Sequence, residues 1–240
     1  MKYNSPADMW LEQTENPTAQ PRRSPDMAGV AQGKSYDVRN RFDHTLQFKV
    51  TLKEVKPPVW RRIQVPCTYT FWDLHVAIQD AMGWLDYHLH AFKLRAPTTG
   101  ILLEIGIPSE DDFADEPVVL PGWDIPVARF LTLADRKADY LYDFGDGWEH
   151  AIVLEKVGPR DSSLHYPVCV AGRRACPPED CGGSWGYKEL LEALADPNHE
   201  EHDRLSTWVG GSFDPEEFEA ASVRFEDPEE RWKCAFLDGQ

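Results

Sequence analysis

Two histidines, three cysteines and one acidic turn carry most of the chemistry open to this chain. His88 and His90 stand two residues apart, and on a strand positions i and i+2 share a face, so both imidazoles could meet one ion. Cys169, Cys176 and Cys181 fall within thirteen residues and offer soft sulfur ligands suited to zinc. His150, which closes the run Asp143-Phe-Gly-Asp-Gly-Trp-Glu-His150, is a candidate fourth ligand. Three thiolates and one imidazole would make a tetrahedral site that fixes the irregular stretch 158–184, which has little apolar content of its own. The six- and four-residue gaps between the cysteines are wider than a zinc-finger knuckle. The competing and preferred reading keeps the thiols free, packed in a loop as small hydrophobes. For His88 and His90 the preferred alternative buries one imidazole in the core with a satisfied hydrogen bond and leaves the other exposed.

The turn from Asp143 to His150 also has two readings. In the structural one, Asp143 and Asp146 accept backbone N–H groups inside a tight turn while Phe144 and Trp148 pack beneath it. In the functional one, Asp143, Asp146, Trp148 and His150 form a binding cleft. Facing His88 and His90, its acidic and imidazole groups would then make a hard-metal or general acid/base centre. Asp143-Phe-Gly145 matches the kinase magnesium triplet, but no phosphate loop or catalytic loop accompanies it. Gly183-Ser184-Trp185-Gly186 lacks the hydrolase elbow register, so Ser184 is assigned as the cap of a helix at 187–195.

These groups need elements to position them. Leu46, Phe48, Val50 and Leu52 alternate with polar residues and predict a half-buried strand, and Val59, Arg61, Ile63 and Val65 predict its antiparallel partner after Pro57-Pro58. Thr70 and Asp73 form a capping box ahead of Phe71, Leu74, Ile78, Ala81 and Met82, a helical stripe that stops at Gly83. Alternation from His88 to Leu94 predicts a third strand with both histidines on one face. Residues 107–125 read as a long acidic loop. Tyr140–Tyr142 and Ala151–Val157 read as a hairpin around the turn. Tyr187, Leu190, Leu191 and Leu194 open a helical C-terminal part, with further helices begun by Asn198 and by Asp214-Pro215. The pattern is α+β, a mainly antiparallel sheet covered by helices, with residues 1–43 a flexible N-terminal leader and 44–240 a single domain.

Charge narrows the partners. The chain carries a formal −16, with 11 basic against 17 acidic groups in residues 44–157 and 8 against 18 in 158–240. Direct nucleic-acid binding, which needs a basic patch, is disfavoured. The pairs Arg61-Arg62 and Arg173-Arg174 are read as solvated surface charge. No apolar run is long enough for a membrane helix, so a cytoplasmic protein without membrane contact is expected, its five cysteines reduced.

Several of these motifs carry a family likeness. Through Val59-Trp-Arg-Arg62, His88-Leu-His90-x-Phe92, Tyr142-Asp-Phe-Gly-Asp-Gly-Trp-Glu-His150 and Ala175-Cys-Pro-Pro-Glu-Asp-Cys-Gly-Gly183 with Gly186-Tyr187, residues 44–225 resemble the plasmid pRiA4b ORF-3-like family. The resemblance implies a compact α+β domain encoded on plasmids, mobile elements or bacterial chromosomes. It implies no established activity and no catalytic residues. The expected function is a non-enzymatic interaction module for an unknown protein partner, with zinc as its possible stabilising metal. The alternative is a metal-dependent hydrolase or nuclease that uses His88, His90, Asp143, Asp146 and His150.

Overall fold

Strand β1, His44–Leu52, sits between two antiparallel partners: β2, Trp60–Pro66, on one side and β7, Trp148–Pro159, on the other. Its alternate residues Leu46, Phe48, Val50 and Leu52 are buried, as the period of two requires. The computed structural model describes residues 42–108 and 119–237. The expected leader lies outside the described residues except for Phe42 and Asp43, and Phe42 is buried with its ring edge on Tyr166.

Five more strands complete one sheet: β3, His90–Arg95; β4, Leu102–Gly106; β5, Val119–Pro121; β6, Lys137–Tyr142; and β8, Val168–Arg173. The order is β5-β4-β3-β6-β7-β1-β2-β8, antiparallel throughout except for the β4–β5 pair at one edge. Helix α1, Phe71–Met82, starts at the expected capping box, with Thr70 and Asp73 each accepting the other's backbone N–H, and ends at Gly83 with φ 91°. Eleven of its twelve residues are buried, so its outer face needs cover as well. Phe71, Leu74 and Ile78 face the sheet core, where Phe71 meets Phe92 edge-on at 5.0 Å. Outer cover comes from α5, Pro228–Phe236, following a short α2, Val127–Phe130, then α3, Gly183–Ala195, and α4, His202–Trp208. Trp72 Nε1 donates to the Pro228 carbonyl at 2.9 Å, and Arg231 reaches Asp80 at 3.0 Å and Asp86 at 3.2 Å. No described helix is long and apolar enough to cross a membrane.

Several expectations change. β3 begins at His90, so His88 belongs to the preceding loop and does not share its face. The expected acidic loop contains β5, too short and proline-flanked to show a period, while its residues 109–118 lie outside the described set. β8 runs through the supposedly irregular stretch, paired with β2 across a register shift at Arg62/Ile63 that hides its alternation. No helix opens at Asp214: its carboxylate accepts Glu216 N–H at 2.9 Å in a local turn, and α5 begins at Pro228 with Asp227 as its cap. Asn198 likewise caps nothing, since α4 starts at His202. Ser184 lies inside α3, where its hydroxyl donates to Glu54, and Gly182 holds the cap position.

The arginine pairs are not simple surface charge. Arg61 is buried: its guanidinium donates to the carbonyls of Ala81 at 2.7 Å, Trp60 at 3.0 Å and Arg173 at 3.1 Å, and lies 3.7 Å over the Phe218 ring. Arg174 is buried too and pairs with Glu216. Carbonyls, a carboxylate and an aromatic face replace water around these charges.

Candidate functional site

Three segments meet at one end of the sheet: loop 83–89 after α1, the turn 143–147 between β6 and β7, and segment 176–187 leading into α3. Hydrogen bonds join them pairwise. Trp84 Nε1 donates to the Pro177 carbonyl at 2.9 Å, and Leu85 N–H donates to Glu179 at 3.1 Å. Asp143 N–H donates to the Leu89 carbonyl at 2.9 Å, and Gly182 N–H donates to Asp146 at 3.0 Å. Tyr142, on β6, receives Tyr87 N–H at 3.1 Å and donates its hydroxyl to Glu179.

Local chemistry fixes the turn. Asp143 adopts a positive φ of 56°, and its Oδ1 accepts Gly145 N–H at 2.9 Å and Asp146 N–H at 3.2 Å. Gly183 permits the close docking, since a Cβ there would stand 2.4 Å from the Asp146 carbonyl oxygen, and Gly186 permits the tight fold of its own segment, where a Cβ would stand 1.9 Å from the Cys181 carbonyl oxygen. Trp148 packs beneath the turn, 6.0 Å from Trp84, as expected, whereas Phe144 points outward and is exposed.

At the junction, His88 Nε2 lies 3.0 Å from Asp180 Oδ1 and 3.7 Å from Asp143 Oδ2. These three ligand-capable atoms lie within 4.8 Å of one another, a set whose residues come one from each segment. Sequence reasoning named His88 and Asp143 but passed over Asp180 and Glu179, although the adjacent acids in Pro-Pro-Glu-Asp were the available signal.

The other expected ligands go elsewhere. His90 is buried and stacked on His75, ring centroids 3.4 Å apart at 9°, and burial followed by the His75 charge pushes its pKa well below the ordinary range. Its Nδ1 has no partner among the described residues. His150 is fully buried, with Nδ1 3.3 Å from the Tyr140 carbonyl and the Trp84 ring edge-on at 5.3 Å. Burial lowers its pKa to about 4, so it is neutral at pH 7. Both imidazoles belong to the core.

Nor are Cys169, Cys176, Cys181 and His150 drawn into one ligand set: among the described residues, His88–Asp143–Asp180 is the group whose donor atoms converge. Cys169 lies on the outermost strand, β8, Cys176 and Cys181 lie in the segment before α3, and all are free thiols. Burial raises the pKa of each, Cys181 to about 12, so all three are protonated at neutral pH.

Beside Asp180, a cleft of about 160 Å³ opens between α3 and α4, lined by Asp180, Cys181, Glu189, Leu190, Arg204 and Trp208 among others. Exposed apolar side chains gather on the same segments. Of thirteen exposed large hydrophobic side chains among the described residues, Leu85, Tyr87, Leu89, Phe144 and Trp185 lie on the three converging segments. They include the two most exposed, Trp185 at 83% and Tyr87 at 72%.

Comparisons with known proteins agree with this architecture. A crystal structure of MM3350, a protein of unknown function from Methanosarcina mazei Go1, superimposes with a TM-score of 0.71 at 44% identity, covering 77% of this chain and 99% of that one. The uncharacterized protein y4hQ of Sinorhizobium fredii (strain NBRC 101917 / NGR234) is 38% identical over 187 residues, 75% of this chain and 86% of that protein. The family model for plasmid pRiA4b ORF-3-like protein matches residues 44–222, a span that contains all three converging segments, and the chain belongs to that family.

Proposed function

We propose that this chain is a non-enzymatic binding module whose protein partner docks on the face formed by loop 83–89, turn 143–147 and segment 176–187. The observation that carries the reading is the concentration of exposed apolar side chains, led by Trp185 and Tyr87, on segments that are otherwise tightly hydrogen-bonded. A held backbone presenting wet aromatic rings has already met part of the ordering cost of association. Hydrolysis is less well supported, because His90 and His150 are buried neutral groups instead of neighbours of His88 in a cavity. The name of the family points to a plasmid-borne reading frame, and we place the module among the products of mobile-element genes. The test is affinity capture from host cells, comparing the native chain with a Trp185→Ser/Tyr87→Ser variant. Proteins retained by the first and lost from the second carry the reading, and identical retention rejects it.

A second reading concerns the metal. The convergence of His88, Asp143 and Asp180 favours this trio, over the thiols, as the place where zinc or another divalent cation would bind. Calorimetric titration of Zn²⁺ should give a signal abolished by His88→Ala or Asp180→Asn and preserved in Cys176→Ser. No heat from the native chain, or loss only in the cysteine variant, sinks this second reading.

A further inference from the structure

We infer that the cleft between α3 and α4 receives a basic side chain, arginine above all, from a partner segment whose neighbouring apolar residue lies on Trp185. The inference rests on the docking-face reading and adds the chemistry of the anchor.

Size comes first. The cleft encloses about 160 Å³. That suits one long side chain and falls short of the roughly 300 Å³ at which small-molecule pockets begin.

The lining then selects the kind of side chain. Leu190 and Leu205 are buried and give an apolar floor for an aliphatic stem. Trp208, half exposed, offers an indole face for a planar cation. Asp180 and Glu189 bring two carboxylates to the same cleft. Arg204, the basic residue of the lining, is paired with Glu201. An anionic group would meet those two carboxylates in a part of the chain, residues 158–240, that carries 8 basic against 18 acidic groups. An apolar group would leave the Glu189 carboxylate and the indole face unused. A guanidinium on a three-carbon stem meets every wall: methylenes on leucine, the planar head on Trp208, N–H groups to the carboxylates.

Position ties the anchor to the docking face. Asp180 is shared between the cleft and the contact with His88, and Gly186, which also lines the cleft, directly follows exposed Trp185. The proposal seats the basic residue in the cleft and its apolar neighbour on the indole one helix position away.

The probe is the peptide acetyl-Gly-Leu-Arg-Leu-Gly-amide, titrated at low salt into the full chain by calorimetry and indole fluorescence. Its controls replace arginine by citrulline, which keeps the shape and removes the charge, or by glutamate. The expected result is saturable binding of the arginine peptide, about tenfold weaker binding of the citrulline peptide and none of the glutamate peptide. Glu189→Gln and Trp208→Leu, both at exposed positions and checked by unchanged melting, should each weaken the arginine peptide severalfold. Equal affinity for the arginine and citrulline peptides, or no arginine-peptide binding at about 5 mM, overturns the inference. If that happens while Trp185→Ser/Tyr87→Ser still abolishes partner capture, the docking face stands without a basic anchor. If capture is also unchanged, both fall.

Discussion

The Tyr142 hydroxyl donates to one oxygen of the Glu179 carboxylate, whose other oxygen accepts Leu85 N–H at 3.1 Å. One carboxylate thus joins strand β6, the loop after α1 and the segment before α3. Burial first, and then the hydrogen bond to Glu179 and its charge, push the Tyr142 pKa above its ordinary range, so the hydroxyl remains a donor. Glu179→Ala should lower unfolding free energy by about 1–3 kcal/mol, because it orphans a donor at each of two segments. Tyr142→Phe combined with Glu179→Ala in a double-mutant cycle should show a coupling of about 1 kcal/mol by urea denaturation. Additive effects would mean that the carboxylate does not join the segments.

Acid should destabilise the fold through its buried imidazoles. The His150 pKa is lowered from an ordinary 6.5 to about 4, and that of His90 is lowered in the same direction. As pH falls below 6.5 the unfolded chain takes up protons that the folded chain refuses, so folding free energy is lost between pH 6.5 and 4. The loss from His150 alone is about 3 kcal/mol. Urea midpoints measured across that range should fall with pH, and His150→Gln should flatten the slope by nearly one proton. An unchanged slope in the variant would contradict neutral burial of His150.

Much of the architecture was legible because it rests on short-range rules. The capping box at Thr70 and Asp73, the stop at Gly83 and the alternation of β1 and β2 each follow from local periodicity or terminal chemistry. β5 and β8 were not legible: one is three residues long, and the other is paired across a bulge, so neither leaves a period to read. At the site, His88 and Asp143 were visible as types, but their partner Asp180 comes from a segment 37 residues beyond Asp143, and only the folded sheet brings it near. His90 took the core place that the preferred reading gave to one imidazole of the pair, whereas His150 misled, since spacing alone cannot separate a ligand from an imidazole buried in the core.

The glycines of the last motif make a sharp test of how closely the segments dock. Gly183→Ala should cost more than about 2 kcal/mol, because at its φ of +66° the added Cβ would also collide with the Asp146 backbone carbonyl of the facing turn. Gly100→Ala is the control: its φ of +70° is strained for alanine but nothing lies within 4 Å, so about 1 kcal/mol is expected. Equal losses by thermal denaturation would show that backbone conformation alone, and not the close approach, sets the cost.

Arg61 should tolerate no shorter cation. Arg61→Lys keeps the charge but cannot span the carbonyls of Ala81, Trp60 and Arg173 or lie flat on Phe218, so a loss of about 2–4 kcal/mol is expected. A variant as stable as the native chain by urea denaturation would remove Arg61 as the tie between β2, the end of α1 and the Phe218 segment.

The family match stops at residue 222, yet α5 begins six residues later and takes up the Trp72 indole and the carboxylates of Asp80 and Asp86. A gene trimmed to the recognisable span would yield a chain with a bare tryptophan and two half-sequestered anions facing solvent, prone to precipitate on expression. Boundaries drawn from kinship alone would discard the roof of the molecule.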